Sequence, residues 1–228
     1  MSSPTSSKTP KAVIHCDVLR SDLLQLHTGN DGVSLLGCDQ QLHLTPKAMP
    51  ARIQERIDAA ARDYEQIALG YGLCSNGIVG LRAPKQGLIV PKAHDCINLL
   101  FGSKQAYLDF FFAHPGSYFL LPELVLKQVD PLGVMEHSYL PKLGPEMAEW
   151  GMREELKSYE RFVLLDTGAY PLEKLRPRAE ENASCFRKEL MVIKADLSLL
   201  QRILYGPYQE EDFLILAPGE EIEQSDLL

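Results

Sequence analysis

The chain has no apolar run that approaches the length of a bilayer span, so no membrane-spanning helix is predicted. It has no long basic run either. Lysine and arginine together number 23 against 31 aspartates and glutamates, for a formal charge of −8 and a pI of about 5.3. Affinity for phosphate backbones comes from clustered Lys and Arg. Neither nucleic acid nor an anionic membrane is therefore expected as a partner. The leading MSSPTSSKTPK segment lacks a hydrophobic h-region, which predicts no secretory signal and makes the cytoplasm the expected compartment. There is no Cys-x-x-Cys pair and no internal repeat of fixed short period.

What remains is ordinary globular composition: 228 residues, 45% hydrophobic and 24% charged, enough for one substantial core or two small lobes. The five cysteines, Cys16, Cys38, Cys74, Cys96 and Cys185, are too sparse and odd in number for a disulfide framework. In a reducing compartment they are thiols, serving as core filler, ligands or nucleophiles.

Short apolar runs alternate with amphipathic stretches. KAVIHC (11–16), VSLLGC (33–38), QIAL (66–69), GLIV (87–90), SYFLL (117–121), RFVLLD (161–166), ELMVI (189–193) and DFLILA (212–217) read as strands. Most are solidly apolar, as strands covered on both faces are. Helical spacing falls between them, clearest over 47–64, where Met49, Ile53, Ile57 and Ala60 share a face. This alternation predicts an α/β fold with a mostly parallel, Rossmann-like, doubly wound sheet and helices on both faces. Its recurrence in both halves suggests two similar lobes. The expected organisation is a disordered lead-in (1–10), an α/β lobe carrying the Cys/His loops (11–121), a long irregular connection or lid (122–145), a second α/β portion packed on the first (146–218) and a frayed acidic tail (219–228). One long helix is expected over 95–114, and Pro177 is expected to break another.

In parallel sheets, ligands bind beyond the carboxyl ends of the strands. Cys16, Cys38, Cys74 and Cys96 all lie at or just past such ends, with His15, His43 and His94 near the same edge. Side chains alternate along a strand, so His15 and Cys16 point to opposite faces. Thiolates are soft ligands that suit zinc, Cu(I) or iron–sulfur clusters. Cys16, Cys74 and Cys96 are the first choice of metal ligands, with His43 or His94 as a fourth, or an open position for water or substrate. Cys38 and Cys185 read as structural. His94 and Asp95 are the acid–base candidates, although Asp95 serves equally as a helix N-cap. Tyr71 and Tyr107 are possible proton donors.

Two phosphate motifs fail. Gly72-x-x-x-x-Gly77 has Walker A spacing, but Ile78-Val79 replace the Lys and the Ser/Thr. Gly70-x-Gly72 meets Ser75 where a third glycine belongs. Gly72, Asn76 and Gly77 could still present backbone N–H groups to an anionic cofactor or ligand.

The segments YGLCSNGIVGL, PKAHDCINLLFGS with the following Tyr107, Pro115-Gly116-Ser117-Tyr118, LHLTP with its His43, and the Cys16 that ends the first strand together resemble the prokaryotic family known as domain of unknown function 1638. The resemblance covers roughly residues 11–205, a span within the usual size of a domain. It places Cys16, Cys74, His94, Asp95 and Cys96 at the family's motif positions. It also implies a loose association with corrinoid-dependent methyl transfer.

The leading expectation is a metal-dependent enzyme with zinc or an iron–sulfur cluster, acting on a small molecule. An alternative is an accessory or binding module of a corrinoid or methyl-transfer system, meeting a protein partner there without turnover of its own. A third is metal-free thiol catalysis at Cys96. Substrate, strand order and oligomeric state do not follow from the sequence.

Overall fold

A computed structural model describes residues 9–29 and 32–227, apart from the side chains of Leu44 and Pro46. Most of the expected disordered lead-in, residues 1–8, lies outside the described residues. In chain order the elements are β1 (Lys11–Cys16), α1 (Arg20–Leu26), β2 (Val33–Cys38), α2 (Met49–Ala60), β3 (Gln66–Gly70), β4 (Leu88–Pro91), α3 (Lys104–Ala113), β5 (Ser117–Leu120), α4 (Pro122–Leu126), α5 (Pro131–Val134), α6 (Leu140–Leu143), α7 (Pro145–Glu155), β6 (Arg161–Asp166), α8 (Leu172–Phe186), β7 (Glu189–Lys194), α9 (Ser198–Tyr205) and β8 (Phe213–Leu216). This is the mixed α/β, mostly parallel architecture that the alternation predicts.

The chain divides into two compact units, one of residues 1–104 and 197–228, the other of residues 105–196. The first carries a sheet of order β2-β1-β3-β4-β8. Four of its strands are parallel, and β8 runs antiparallel on β4. All six residues of the central β1 are buried, which explains its unbroken apolar character. The predicted face of α2 is buried too: Met49, Ile53, Ile57 and Ala60. From β1 the chain adds β2 on one side and β3 on the other. The strand order therefore reverses between β1 and β3, and such a switch point opens a crevice at the carboxyl ends.

The second unit has a parallel sheet of order β5-β6-β7. Leu120, Phe162 and Leu164 from its strands share one core with Val125, Leu132, Met152, Leu175 and Phe186 from its helices. The buried Asp130 carboxylate accepts from the Gly133 N–H at 3.0 Å, Asn182 Nδ2 at 2.9 Å and Arg178 Nε at 3.1 Å.

Several local expectations are corrected. The stretch 95–114 is not one helix: a 3-10 turn at Asn98–Leu100 is separated from α3 by Gly102, whose φ of +73° ends the first turn. Residues 122–145 are not irregular but helical, with a π-helical turn at Met135–Tyr139 between α5 and α6. Pro177 does not break α8, which runs through it. β5 pairs with β6, so it belongs with the second unit and not with the Cys/His loops. Residues 197–218 return to the first unit, where β8 closes one sheet edge. The tail is acidic but packed, with Ile222 and Leu227 buried and Arg82 paired to Glu221 at 2.5 Å. Among the described residues, no helix is long and apolar enough to cross a membrane.

Candidate metal centre

Register brings the site together. Cys16 of β1 pairs with Cys38 of β2, and His15 pairs with Gly70 of β3, so Tyr71 follows Gly70 as Cys16 follows His15. Residues abreast in a parallel sheet share a face. Cys38, Cys16 and Tyr71 thus form one row at the carboxyl edge, beside the switch point. His15 takes the opposite face, as alternation predicts. It lies between two glycines: a Cβ on Gly70 would come within 2.7 Å of the His15 Cβ, and one on Gly37 within 3.4 Å of its ring. The His15 ring donates from Nδ1 to the Cys16 carbonyl at 3.0 Å.

Past β3 and β4 the two loops run together. Leu73 and Cys74 donate their N–H groups to the carbonyls of Ala93 and His94 at 2.8 and 3.0 Å. Cys74, Ser75 and Asn76 then adopt φ of +46°, +56° and +66°, three consecutive left-handed residues without a glycine. Each such residue costs about 1 kcal/mol. Of the three expected cofactor-binding N–H groups, that of Gly77 is committed within the loop. A Cβ on Gly72 would sit 2.5 Å from the Asp95 backbone, so this glycine permits the close approach of the two loops. The Gly77 N–H is spent on the Cys74 carbonyl at 3.1 Å, and its open side is filled by the Met49 sulfur. The Asn76 carbonyl accepts from the Val79 N–H at 3.2 Å.

The sulfurs converge. Cys16 Sγ lies 3.4 Å from His43 Nε2, and Cys74 Sγ lies 3.4 Å from Cys96 Sγ. The ligand atoms of Cys16, His43 and Cys96 all fall within 4.8 Å of one another. The three cysteines are buried, whereas the His43 ring is exposed. His43 is carried by a 3-10 turn (Gln40–Leu44) whose start is capped by Asp39. Cys74 stands next to Cys96 but outside the compact trio. The expected set of Cys16, Cys74, Cys96 and His43 is therefore brought together as three plus one.

The protons are unevenly shared. Hydrogen bonding with the Cys16 and Cys74 sulfurs on either side, together with burial, pushes the Cys96 thiol well up. The Cys16 thiol is held down to about 5 by its contacts with Cys96 and His43, against burial. Cys74 is lowered by Cys96, and the Cys16 sulfur raises His43. A soft cation among these donors would take the place of the shared proton. Two thiolates and an imidazole suit zinc chemically, so the donor set fits.

His94 and Asp95 lie at the rim. The two carboxylate oxygens of Asp95 have different partners. One carboxylate oxygen caps the N–H groups of Ile97 and Asn98 at 2.9 and 3.0 Å, and the other pairs with His94 Nδ1 at 3.2 Å. The His94 side chain is 62% exposed and is not part of the sulfur cluster. Tyr107 belongs to the second unit, packed against Phe111 and Phe119.

The model of the family described as "Protein of unknown function (DUF1638)" matches residues 38–204, well over half of the chain. The chain belongs to the DUF1638 family. The match takes in His43, Cys74 and Cys96 but starts after Cys16, so it does not extend to the expected start at residue 11 or to the first strand's cysteine. No curated protein and no solved structure matches the chain.

Within this DUF1638 chain, the sequence alone undervalued two residues. Cys38 reads as filler, yet it stands abreast of Cys16 at the site's edge. Burial raises its thiol, while the neighbouring Tyr71 hydroxyl and, less so, the charge of Arg56 oppose that shift. Tyr71 is only 1% exposed, and among the described residues its hydroxyl has no hydrogen-bond partner. It lies against the Cys38 thiol without hydrogen-bond geometry and feels the sulfurs of Cys16 and Cys96, which with burial raise its pKa far above the ordinary value. The two-residue alternation of β1 and β2 was the available signal for Cys38.

Proposed function

We propose that the chain is a metal-dependent enzyme acting on a small molecule, with a single zinc ion held by Cys16, His43 and Cys96. The observation that carries this reading is the convergence of three ligand atoms within 4.8 Å at a switch-point crevice. A two-sulfur, one-nitrogen set favours a lone ion over an iron–sulfur cluster, which is ordinarily held by four cysteines. Three protein ligands with one position left open is the catalytic form of a zinc site, whereas structural sites are closed by four. Cys74, outside the trio, hydrogen bonds to Cys96 and tunes its charge.

When bound, zinc supplies Lewis acidity and a site for water activation. The chain's own groups do the rest. Tyr71, protonated at every physiological pH, offers a hydroxyl that lacks a partner among the described residues and donates to an oxygen of the bound molecule. Asp95 holds the His94 ring through Nδ1, which orients it as a proton carrier at the solvent edge. The dry surroundings of Cys16 and Cys96 strengthen the interactions made beside them, those of Tyr71 included.

Metal analysis of protein purified without oxygen tests the reading. Zinc should be present at about one equivalent per chain and lost in Cys16→Ser, Cys96→Ser and His43→Ala. Cys74→Ser should keep it. Loss of zinc in Cys74→Ser as well would make the site closed and structural, and the enzyme reading would fall.

A further inference from the structure

Beside the metal centre a cleft of about 510 Å³ opens between the Gln40–Leu44 turn and α2. It is lined by Cys38, Asp39, Leu42, Arg52, Glu55 and Arg56. Two of these adjoin the centre directly: Cys38 pairs with Cys16 across the sheet, and Leu42 precedes His43. By formal charge the lining is balanced, with two arginines and two carboxylates. By partners it is not. The Asp39 carboxylate is occupied by the Gln41 N–H at 2.8 Å, and Glu55 is occupied by Arg52 at 3.0 Å. No described residue pairs with Arg56, although its charge reaches the Cys38 thiol on the cleft wall. Arg52 and Arg56 are one helical turn apart, so both guanidinium groups project from the same side of α2.

We infer that this cleft is the substrate's anion site, and that it takes a small molecule bearing a carboxylate or phosphate group, held by Arg56. The guanidinium is planar, permanently charged and able to grip either group through two parallel N–H bonds. Arg52 is the auxiliary donor, available if the incoming anion displaces Glu55. A molecule anchored on Arg56 would extend past Cys38 toward the row of Cys16 and Tyr71. Its role as a substrate site rests on the metal-enzyme reading; anion binding by the cleft does not.

Thermal unfolding of the full chain, stripped of metal and kept reduced, tests the site. Inorganic phosphate and acetate are each compared with chloride at equal ionic strength. A ligand that binds only the folded state raises the midpoint. At least one of the two anions should raise it in the wild type, and the more effective one identifies the group as phosphate or carboxylate. Arg56→Gln should lower the apparent affinity about tenfold or more, Arg52→Gln less, and Arg56→Lys should restore part of it. Both arginines are exposed, so these variants keep the fold. An equal rise in Arg56→Gln and wild type would overturn the proposal, as would no rise with either anion. The Cys16→Ser, Cys96→Ser double variant separates the two claims. It should lose zinc and keep the Arg56-dependent response, whereas a failure confined to zinc would sink the metal reading and leave the anion site standing.

Discussion

The two sheets of this chain differ in one topological respect that has chemical consequences. In the second unit the strands lie in the order β5-β6-β7, so each crossover steps in the same direction. Right-handed crossovers that step one way lay their helices on one face. The helical residues Val125, Leu132, Met152 and Leu175 accordingly share a single core. The polar groups past its strand ends satisfy each other. Asp166 pairs with Lys194 at 3.3 Å and accepts from the Gly168 N–H at 3.2 Å, and Glu123 takes the Tyr170 hydroxyl at 3.1 Å. In the first unit the order reverses between β1 and β3. There the strand ends present four buried sulfurs and, among the described residues, a buried hydroxyl without a partner. Ligands in parallel sheets bind beside such a reversal, and it is there that Tyr71 stands abreast of Cys16. Two sheets of similar make-up thus differ in whether their carboxyl edge is finished by the protein itself.

The largest effect expected from this contrast concerns zinc. Serine at Cys16 or Cys96 should reduce bound zinc from about one equivalent to near zero by elemental analysis. Cys185→Ser, in the second unit, should leave the content unchanged. An equal loss there would show that the metal does not discriminate between the two units.

The reverse experiment should produce the next largest effect. Asp130 is fully buried at the side chain and answers three donors in the second unit. Asp130→Ala leaves Arg178, Asn182 and the Gly133 N–H without their acceptor. Urea unfolding should show a loss of about 3 kcal/mol, with zinc content untouched. A loss within error of zero would mean that the network is not closed, and the contrast between the two units would weaken.

The sequence allowed the fold to be read where the signal was local. Solidly apolar runs marked the strands, and β1, β2 and β6 begin and end where their composition changes. The spacing of Met49, Ile53, Ile57 and Ala60 fixed the buried side of α2. Placing Cys16, Cys74, Cys96 and His43 at one edge followed from parallel strands alone. The trio within this group did not, because it depends on distances across β1, β3 and β4, and strand order is decided by long-range packing. Tyr71 was legible as a possible proton donor, but only register places it abreast of Cys16. The unit boundary also escaped, because 197–228 returns to a sheet begun with β1 near the start of the chain, and no local composition records that return.

A smaller effect compares the two ends of β1 itself. At the amino end Lys11 is buried, yet its ammonium is fully answered, donating to the carbonyls of Ile203 and Leu204 in the last turn of α9 and to the Tyr208 hydroxyl. Burial lowers its pKa from 10.5 to about 8. Below the folded value both states hold the proton. Between the two values only the unfolded chain does, so stability contributed by this group rises with pH. Urea midpoints at about pH 7.5 and about pH 9.5 should therefore favour the wild type over Lys11→Met at the higher pH, by about 2 kcal/mol relative to the lower. A pH-independent difference would mean that the carbonyls keep the ammonium charged throughout, and that the amino end of β1 is even better satisfied than its burial implies.

The smallest effect is the sharpest test of the unfinished edge. A buried hydroxyl without a partner costs the folded state its lost hydration, about 1 kcal/mol or more. Tyr71→Phe removes that group and keeps the ring that fills the core. In metal-stripped protein without added ligand, the variant should be more stable than wild type by about 1 kcal/mol in urea unfolding. A residue retained for packing alone would show no such gain, because the ring is unchanged. A loss of stability would show that the hydroxyl is already paired in the free protein, and Tyr71 would then join the satisfied groups of the second unit instead of the waiting ones of the first. A gain would mean that the carboxyl edge carries a standing cost, one that is relieved when an oxygen-bearing molecule occupies the crevice.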